Sequence, residues 1–249
     1  MMAVYFLVNE DSDMEYIFAV QNETEYKYFQ RFVKQYESVL SKYIDLLKSK
    51  YKVQYLPRCI VLTSAKIATE IISDIPIPAY TNDYRVVFVP ELDTWKNIYL
   101  RQLDSYENNA DVKEIRSYYE AKLNDRYLLQ IIGHELAHHS EMFSDEAYES
   151  GNAWFEEGVV EYISRKHFLS KGEFEDEVLI NRKLVELYER SHQQRPISLF
   201  GDSKDYATIY YDYWRAFLKI MEAVDRCGGN ELTVLLRYAK TPNLLLSGK

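Results

Sequence analysis

The stretch that decides the fold reads LLQIIGHELAH and runs from Leu128 to His138. It lies within Arg126–Glu141, a segment that is apolar on most faces and is therefore predicted to form a buried helix. His134 and His138 are four positions apart, and such positions on an α-helix differ by about 40° around the axis. Both imidazoles should therefore point the same way and be able to bind one metal ion.

Glu135 follows the first histidine and is rotated from it by about 100°, so it cannot join the two imidazoles as a third ligand without strain. It can instead reach a water molecule on the open side of the ion. Two histidines, a carboxylate and a water form a known catalytic zinc pattern. Zinc acidifies the water and polarises a carbonyl group, and the nearby carboxylate transfers the proton. The alternative is a core helix whose histidines form hydrogen bonds elsewhere.

A second segment, WFEEGVVEY at Trp154–Tyr162, lies downstream, and eighteen residues separate His138 from Glu157. Here the sequence resembles the gluzincin metallopeptidases, whose pattern is HExxH, eighteen residues and then Glu. The resemblance is closest to the aminopeptidase-like branch, also called peptidase MA-like, which has W-x-x-E-G-x-x-E-Y around that glutamate. The resemblance implies that Glu157 is the third zinc ligand. It extends over about Arg126–Tyr238, whereas the first half of the chain resembles the family only in its expected arrangement of strands and helices.

Glu157 and Glu161 are one helical turn apart and share a face. If Glu157 binds the metal, Glu161 lies beside the site and can accept the second ring N–H of His134, which fixes the tautomer of that ligand. Gly158 would allow another backbone or the substrate to approach closely. The alternative is an exposed acidic helix face, although the apolar residues of the same segment favour a helix packed on one side.

A developing oxyanion needs a hydrogen-bond donor besides the metal. In the family that the sequence resembles, this donor is a tyrosine roughly fifty to sixty residues after the glutamate. The tyrosines in that window are Tyr206, Tyr210, Tyr211 and Tyr213. Tyr210 is the favoured donor, with Tyr211 and Tyr206 behind it, and simple packing is the alternative for each.

The resemblance also implies that the substrate binds as an added strand on a sheet edge before the metal-binding helix, and Tyr84–Val89 has the right place in the chain. Main-chain pairing gives affinity without reading side chains. The Gly-x-Met-Glu-Asn motif of the family's aminopeptidases is not found in the sequence. Its absence argues against recognition of an N-terminal amine and hence against aminopeptidase activity. The sequence does not decide between internal and terminal cleavage.

The pattern of apolar residues predicts a mixed α/β half followed by a helical half. The predicted strands are Val4–Val8, Tyr16–Val20, Cys59–Thr63 and Tyr84–Val89, and Pro76 and Pro78 mark a loop. The predicted helices include Glu23–Lys50, Val112–Leu123, Arg126–Glu141, Trp154–Phe168, Glu177–Arg190, Tyr206–Val224 and Leu232–Tyr238. We expect an α+β, gluzincin (thermolysin-like) fold with a mixed lobe over residues 1–105, which carries the substrate-edge strand, and a helical lobe with the zinc site over residues 106–249.

Composition narrows the function classes. The chain has 249 residues, with 30 Lys and Arg against 39 Asp and Glu, a formal charge of −9. This charge argues against nucleic acid as the main partner. The two cysteines are far apart in sequence and no signal-peptide pattern is present, which predicts a cytoplasmic protein with reduced thiols; one disulfide is the alternative. No apolar run is long enough to span a membrane, so no membrane partner is expected.

The sequence thus predicts a zinc-dependent metallopeptidase that binds one zinc through His134, His138 and Glu157 and uses Glu135 as general base on a peptide or protein substrate. One alternative is a catalytically inactive zinc-containing binding or regulatory protein with the same fold, against which the intact Glu135 argues. A metal-free helical interaction module is a third. Substrate identity, oligomeric state and control by a partner stay open.

Overall fold

The computed structural model describes residues 3–7, 14–72 and 77–246, and side chains from Met14 onward. The strands are β1 (Ala3–Leu7), β2 (Glu15–Val20), β3 (Cys59–Thr63), β4 (Ala79–Asn82) and β5 (Arg85–Phe88). The α-helices are α1 (Glu23–Tyr51), α2 (Ala65–Ile67), α3 (Leu92–Arg101), α4 (Ala110–Lys122), α5 (Asp125–Ala137), α6 (Asp145–Ala147), α7 (Ala153–Phe168), α8 (Lys171–Ser191), α9 (Tyr206–Arg226), α10 (Glu231–Tyr238) and α11 (Asn243–Leu246). Four helical segments of π or 3₁₀ type lie at Ala68–Ile72, Gln102–Ser105, Tyr148–Asn152 and Ile197–Leu199. The protein is therefore a mixed α/β structure in which helices predominate.

The five strands form one sheet in the order β1-β2-β3-β5-β4. The central strands β2, β3 and β5 are parallel, whereas β1 and β4 pair antiparallel with β2 and β5. The prediction that Tyr84–Val89 forms an edge strand is wrong, because β5 pairs with β3 on one side and with β4 on the other. The edge on that side is β4, which follows the predicted loop at Pro78, while Pro76 lies outside the described residues.

Both faces of the sheet are covered. On one face, Val61 and Val87 pack in a buried cluster with Ile67 and Ala68 of the segment after β3. On the other face, the ring of Phe32 in α1 lies 6.0 Å from that of Phe88 in β5. Since β3 is an interior strand with parallel neighbours, it is buried along its whole length, as expected for a strand covered on both sides.

Two compact units make up the chain. The first comprises Met1–Trp95 and Asn124–His139, and the second comprises Lys96–Leu123 and Ser140–Lys249. This division differs from the predicted lobes 1–105 and 106–249, because α5 belongs to the unit that contains the sheet. Helix α5 contacts α1, β4 and β5, and the Tyr43 hydroxyl donates to the carbonyl oxygen of Gly133 at 3.1 Å.

Within the second unit, helices α7 and α9 approach closely at Gly158. A Cβ atom at that position would lie 2.6 Å from the carbonyl oxygen of Ala216 and 2.7 Å from Cγ1 of Ile220. Of the two uses predicted for this glycine, the structure shows the approach of another backbone. The elements described from Leu92 onward are all helices or helical turns, which agrees with the predicted helical second half.

Two helix ends depart from the predictions by more than two residues. Helix α5 ends at Ala137 instead of Glu141, and α8 begins at Lys171, six residues before the predicted Glu177. The early start follows from a capping box, in which Ser170 and Glu173 satisfy each other's backbone N–H groups. Among the described residues, no helix is long and apolar enough to cross a membrane.

Candidate metal centre

The two histidines of the HELAH stretch lie at the C-terminal end of α5. This helix is buried from Tyr127 to Ala137, and His138 is its C-cap residue. The Nε2 atoms of His134 and His138 are 3.2 Å apart, and the ring centroids are separated by 4.9 Å. The prediction that both imidazoles point to the same place is therefore confirmed.

Glu157 completes the group. His134, His138 and Glu157 each offer one ligand atom, and these atoms all lie within 4.8 Å of one another. Among the residues that the structure describes, no other three His, Cys, Asp or Glu side chains meet in this way. The carboxylate of Glu157 belongs to a side chain that is only 8 % exposed, and burying a carboxylate is unfavourable unless an opposite charge or hydrogen bonds compensate it.

The separation of the two imidazole nitrogens fits a tetrahedral zinc ion. Two nitrogen ligands that each lie about 2.0–2.1 Å from such an ion are about 3.3 Å apart, close to the separation of the two Nε2 atoms. A hydrogen bond between the imidazoles would explain that distance equally well, but it gives no reason for Glu157 to be buried beside them. Two nitrogens and one carboxylate oxygen also match the ligand set of catalytic zinc sites, which keep a position open for water.

Glu135 is buried on the same helix as the two histidines, next to His134 in sequence. Burying a carboxylate is unfavourable unless an opposite charge or hydrogen bonds compensate it. Its neighbours along α5, Leu136 and Ala137, are fully buried. The role of Glu135 as general base stays a prediction.

Glu161 lies one turn after Glu157 on α7, and its carboxylate is bound by Arg165. The Nε of Arg165 donates to Glu177 of α8 at 3.1 Å. The side chains of Glu161 and Arg165 are only 14 % and 13 % exposed. The alternative of an exposed acidic helix face is therefore wrong for Glu157 and Glu161. The hydrogen bond from His134 to Glu161 stays a prediction.

The favoured tyrosine, Tyr210, lies in a group of aromatic rings with Tyr99, Tyr206 and Trp214, at centroid distances of 6.4, 6.2 and 6.4 Å. Burial raises its pKa well above the usual value, and Tyr99 and Tyr206 add to this effect. Its hydroxyl therefore remains protonated and can donate a hydrogen bond. The structure places Tyr210 in the second unit, the unit that also contains Glu157.

The other tyrosines of the window have separate surroundings. Tyr211 donates its hydroxyl to Glu189 at 2.8 Å and stacks on Tyr188. Tyr206 is exposed, and the ring of Tyr213 packs against Phe200 at 5.0 Å. Because the hydroxyl of Tyr211 already donates its hydrogen bond to Glu189, Tyr211 is a weaker candidate for the oxyanion donor.

The charge of Glu157 acts on a tyrosine that the sequence did not single out. Tyr148 begins the π-helical segment that leads into α7, and its side chain is 47 % exposed. Burial raises its pKa, and the charges of Glu157 and Glu156 raise it further. The only sequence signal is Gly151, whose positive φ of 79° permits the turn in this segment.

No protein-family model, no curated protein and no solved structure matches this chain. The roles of its residues therefore rest on their own geometry and chemistry. The buried triad of two imidazoles and a carboxylate, with Glu135 beside it in sequence, is the arrangement that best supports a function.

His139 connects the end of α5 to the edge strand. Its Nε2 lies 2.8 Å from Oγ1 of Thr81 in β4. Burial lowers the pKa of His139, the charge of His138 lowers it further, and Asp83 opposes the change. This hydrogen bond joins β4 to the residue that follows the candidate ligand His138.

Proposed function

We propose that this protein is a zinc-dependent metallopeptidase with a gluzincin-like fold. The observation that carries the proposal is the buried group of His134, His138 and Glu157, with Glu135 on the same helix as the two histidines. A zinc site that only stabilises a fold normally has four protein ligands and needs no additional carboxylate. The three-residue set and the buried Glu135 therefore favour catalysis over a structural metal.

His134, His138 and Glu157 would hold the ion. Zinc in such a site supplies Lewis acidity, which lowers the pKa of a water molecule and polarises the scissile carbonyl. Glu135 takes the proton from the attacking water and later delivers it to the leaving amine. The nucleophile is water, so no covalent bond forms between substrate and protein.

The edge strand β4 supports a peptide as the substrate. It is the last strand of the sheet order and pairs with β5 on one side, so an extended peptide can add to its other side. Helix α5 contacts this strand, and Thr81 binds His139 next to the metal ligand His138. We therefore assign substrate pairing to Ala79–Asn82 in place of Tyr84–Val89.

Tyr148 and Tyr210 are the two candidates for the oxyanion donor. Tyr148 is half-exposed, and the charge of Glu157 acts on it, whereas Tyr210 is packed among Tyr99, Tyr206 and Trp214. A donor must be accessible to substrate. We therefore favour Tyr148. We also place the protein in the cytoplasm, because both of its cysteines are free and reduced thiols are typical there.

The test combines metal analysis with a mixed peptide library. Protein purified without chelators should contain one zinc per chain and cleave peptides in the library. Glu135→Gln should retain the zinc and lower kcat by about 10²–10⁴-fold, the usual contribution of a general base. Glu141→Gln is the matched control, since the same chemical change is made at an exposed residue of the following segment.

The results of these measurements distinguish the proposed peptidase from its alternatives. Absence of stoichiometric zinc would contradict the metal site itself. Zinc without turnover of any peptide would favour the inactive binding or regulatory protein. Turnover that is unchanged in Glu135→Gln would show that the assigned general base is wrong.

A further inference from the structure

The Arg165 cluster is a buried polar network in the second unit, and its five members are Arg165, Glu161, Glu177, Tyr118 and Asn181. Glu177 of α8 is almost fully buried and accepts hydrogen bonds from Nε of Arg165 at 3.1 Å and from the hydroxyl of Tyr118 at 2.7 Å. Asn181 donates to the same carboxylate at 3.3 Å. The cluster therefore joins helices α4, α7 and α8.

The cluster reaches the candidate metal ligand along one face of α7. Glu157, Glu161 and Arg165 are spaced by four residues, so they form a single row on the helix surface. Arg165 binds Glu161 with NH1 and Glu177 with Nε. The guanidinium therefore donates on one side to Glu161, next to the turn that carries Glu157, and on the other side to α8.

Arg165 has little freedom to move. Its guanidinium carbon lies 4.5 Å above the centre of the Phe217 ring, and the planar group is held by two carboxylates. An arginine fork of this kind fixes direction as well as charge, which a lysine cannot reproduce. The carboxylate of Glu161 is consequently held in one orientation beside the turn that carries Glu157.

We propose that Arg165 is a positioning residue that orients Glu161, and through it the metal-binding turn of α7, while Glu177 anchors Arg165. This inference rests on the proposed metal site. Residues that orient the direct ligands of a metal commonly change its affinity by about 10–100-fold. Arg165 acts one contact further out, so we expect an effect near the lower end of that range.

The positive charge of Arg165 and its orienting effect on Glu161 predict opposite changes in zinc affinity when Arg165 is replaced. Arg165 is a cation near a cation site, so removing its charge alone would strengthen zinc binding. Releasing Glu161 from its fixed orientation would weaken zinc binding instead. The sign of the change in zinc affinity therefore distinguishes the two effects.

The experiment measures the zinc dissociation constant by competition with a chromogenic chelator, at a temperature where circular dichroism shows every variant to be folded. Arg165→Met removes both charge and fork, and Arg165→Lys keeps the charge but removes the fork. Arg215 is the matched control, because it is similarly buried, pairs with Asp212 at 2.9 Å and lies over the Tyr211 ring at 4.2 Å. It belongs to α9, outside the row of Glu157 and Glu161.

Arg165→Met should weaken zinc binding about tenfold, and Arg165→Lys should weaken it by a smaller factor. Arg215→Met and Arg215→Lys should leave it unchanged, even if they lower the melting temperature as much. Unchanged or tighter binding in Arg165→Lys would overturn the inference, and that variant decides the question if Arg165→Met does not fold. Wild-type protein that binds no zinc would instead overturn the proposed function.

Discussion

At the scale of single residues, two carboxylates one turn apart on α7 have different partners. Glu157 lies within 4.8 Å of two imidazoles, while Glu161 is bound by a guanidinium that a second helix anchors. The two side chains are chemically identical, so the difference arises from the groups that surround them. The first can serve a metal, and the second is stabilised as an anion by an arginine.

Tyr148 provides a test at the same scale. If its hydroxyl donates to the developing oxyanion, Tyr148→Phe should lower kcat by about 10²–10³-fold with little change in KM. Tyr210→Phe should have a much smaller effect, and Tyr55→Phe, at a highly exposed position, should have none. Steady-state kinetics on a peptide from the library would measure this, and a larger loss in Tyr210→Phe would restore Tyr210 as the donor.

The sequence predicts correctly those residues whose relation is local or is fixed by a motif. The spacing of His134 and His138 on one helix determines their common direction, and the structure confirms it. The resemblance also placed Glu157 with them. Tyr148 and the contact of Arg165 with Glu177 could not be predicted, because they depend on an irregular turn and on the packing of two helices.

At the scale of secondary-structure elements, helices α7 and α9 approach each other closely at Gly158. Gly158→Ala would place a methyl group 2.6 Å from the Ala216 carbonyl oxygen. We expect a loss of about 1–3 kcal/mol in the free energy of unfolding, as for other overpacked cores. Urea denaturation followed by circular dichroism would measure it.

Gly172→Ala in α8 is the control for that substitution. A Cβ atom there would meet nothing within 4 Å, so alanine should stabilise the protein by about 0.4–1 kcal/mol through its lower entropy in the unfolded chain. Equal effects at both positions would show that α7 and α9 are not packed as closely as described.

Elements with a strong periodic pattern were predicted well, and short ones were not. The burial of α5 followed from its apolar sequence, and β3 was predicted with its observed bounds. Strand β4 has only four residues, too few for an alternating pattern, and it exists because β5 offers it a partner. The start of α8 was missed although Ser170 and Glu173 carry the sequence signature of a capping box.

At the scale of the whole molecule, zinc should act as a stabilising ligand, because a site assembled from residues far apart in sequence exists only in the folded chain. A ligand present at 1,000 times its dissociation constant adds about 4 kcal/mol of stability. A chelator should therefore lower the melting temperature, and added zinc should restore it.

His138→Ala is the control for this experiment, since it removes one ligand and leaves the apolar part of α5 intact. Its melting temperature should respond to neither chelator nor zinc. A wild-type melting temperature that does not change with zinc, in protein that contains the metal, would place the ion outside the predicted site.

The division of the chain into two units could not be predicted from the order of the elements along the sequence. The predicted boundary at residue 105 assumed that each lobe is one continuous segment. The Tyr43 hydroxyl, however, binds a carbonyl oxygen ninety residues further along. Contacts of this range arise when buried faces meet in the folded protein, and a local pattern does not reveal them.

The discontinuous first unit also has a consequence for synthesis on the ribosome. When residues 1–123 have emerged, all strands of the sheet and α1 have been synthesised, but the helix that packs against them in the folded protein has not. Apolar surface destined for α5 is exposed during that interval, the condition under which nascent chains aggregate or recruit chaperones. The arrival of α5, with His134 and His138 at its end, therefore completes the fold of this unit and delivers two of the candidate metal ligands in the same step.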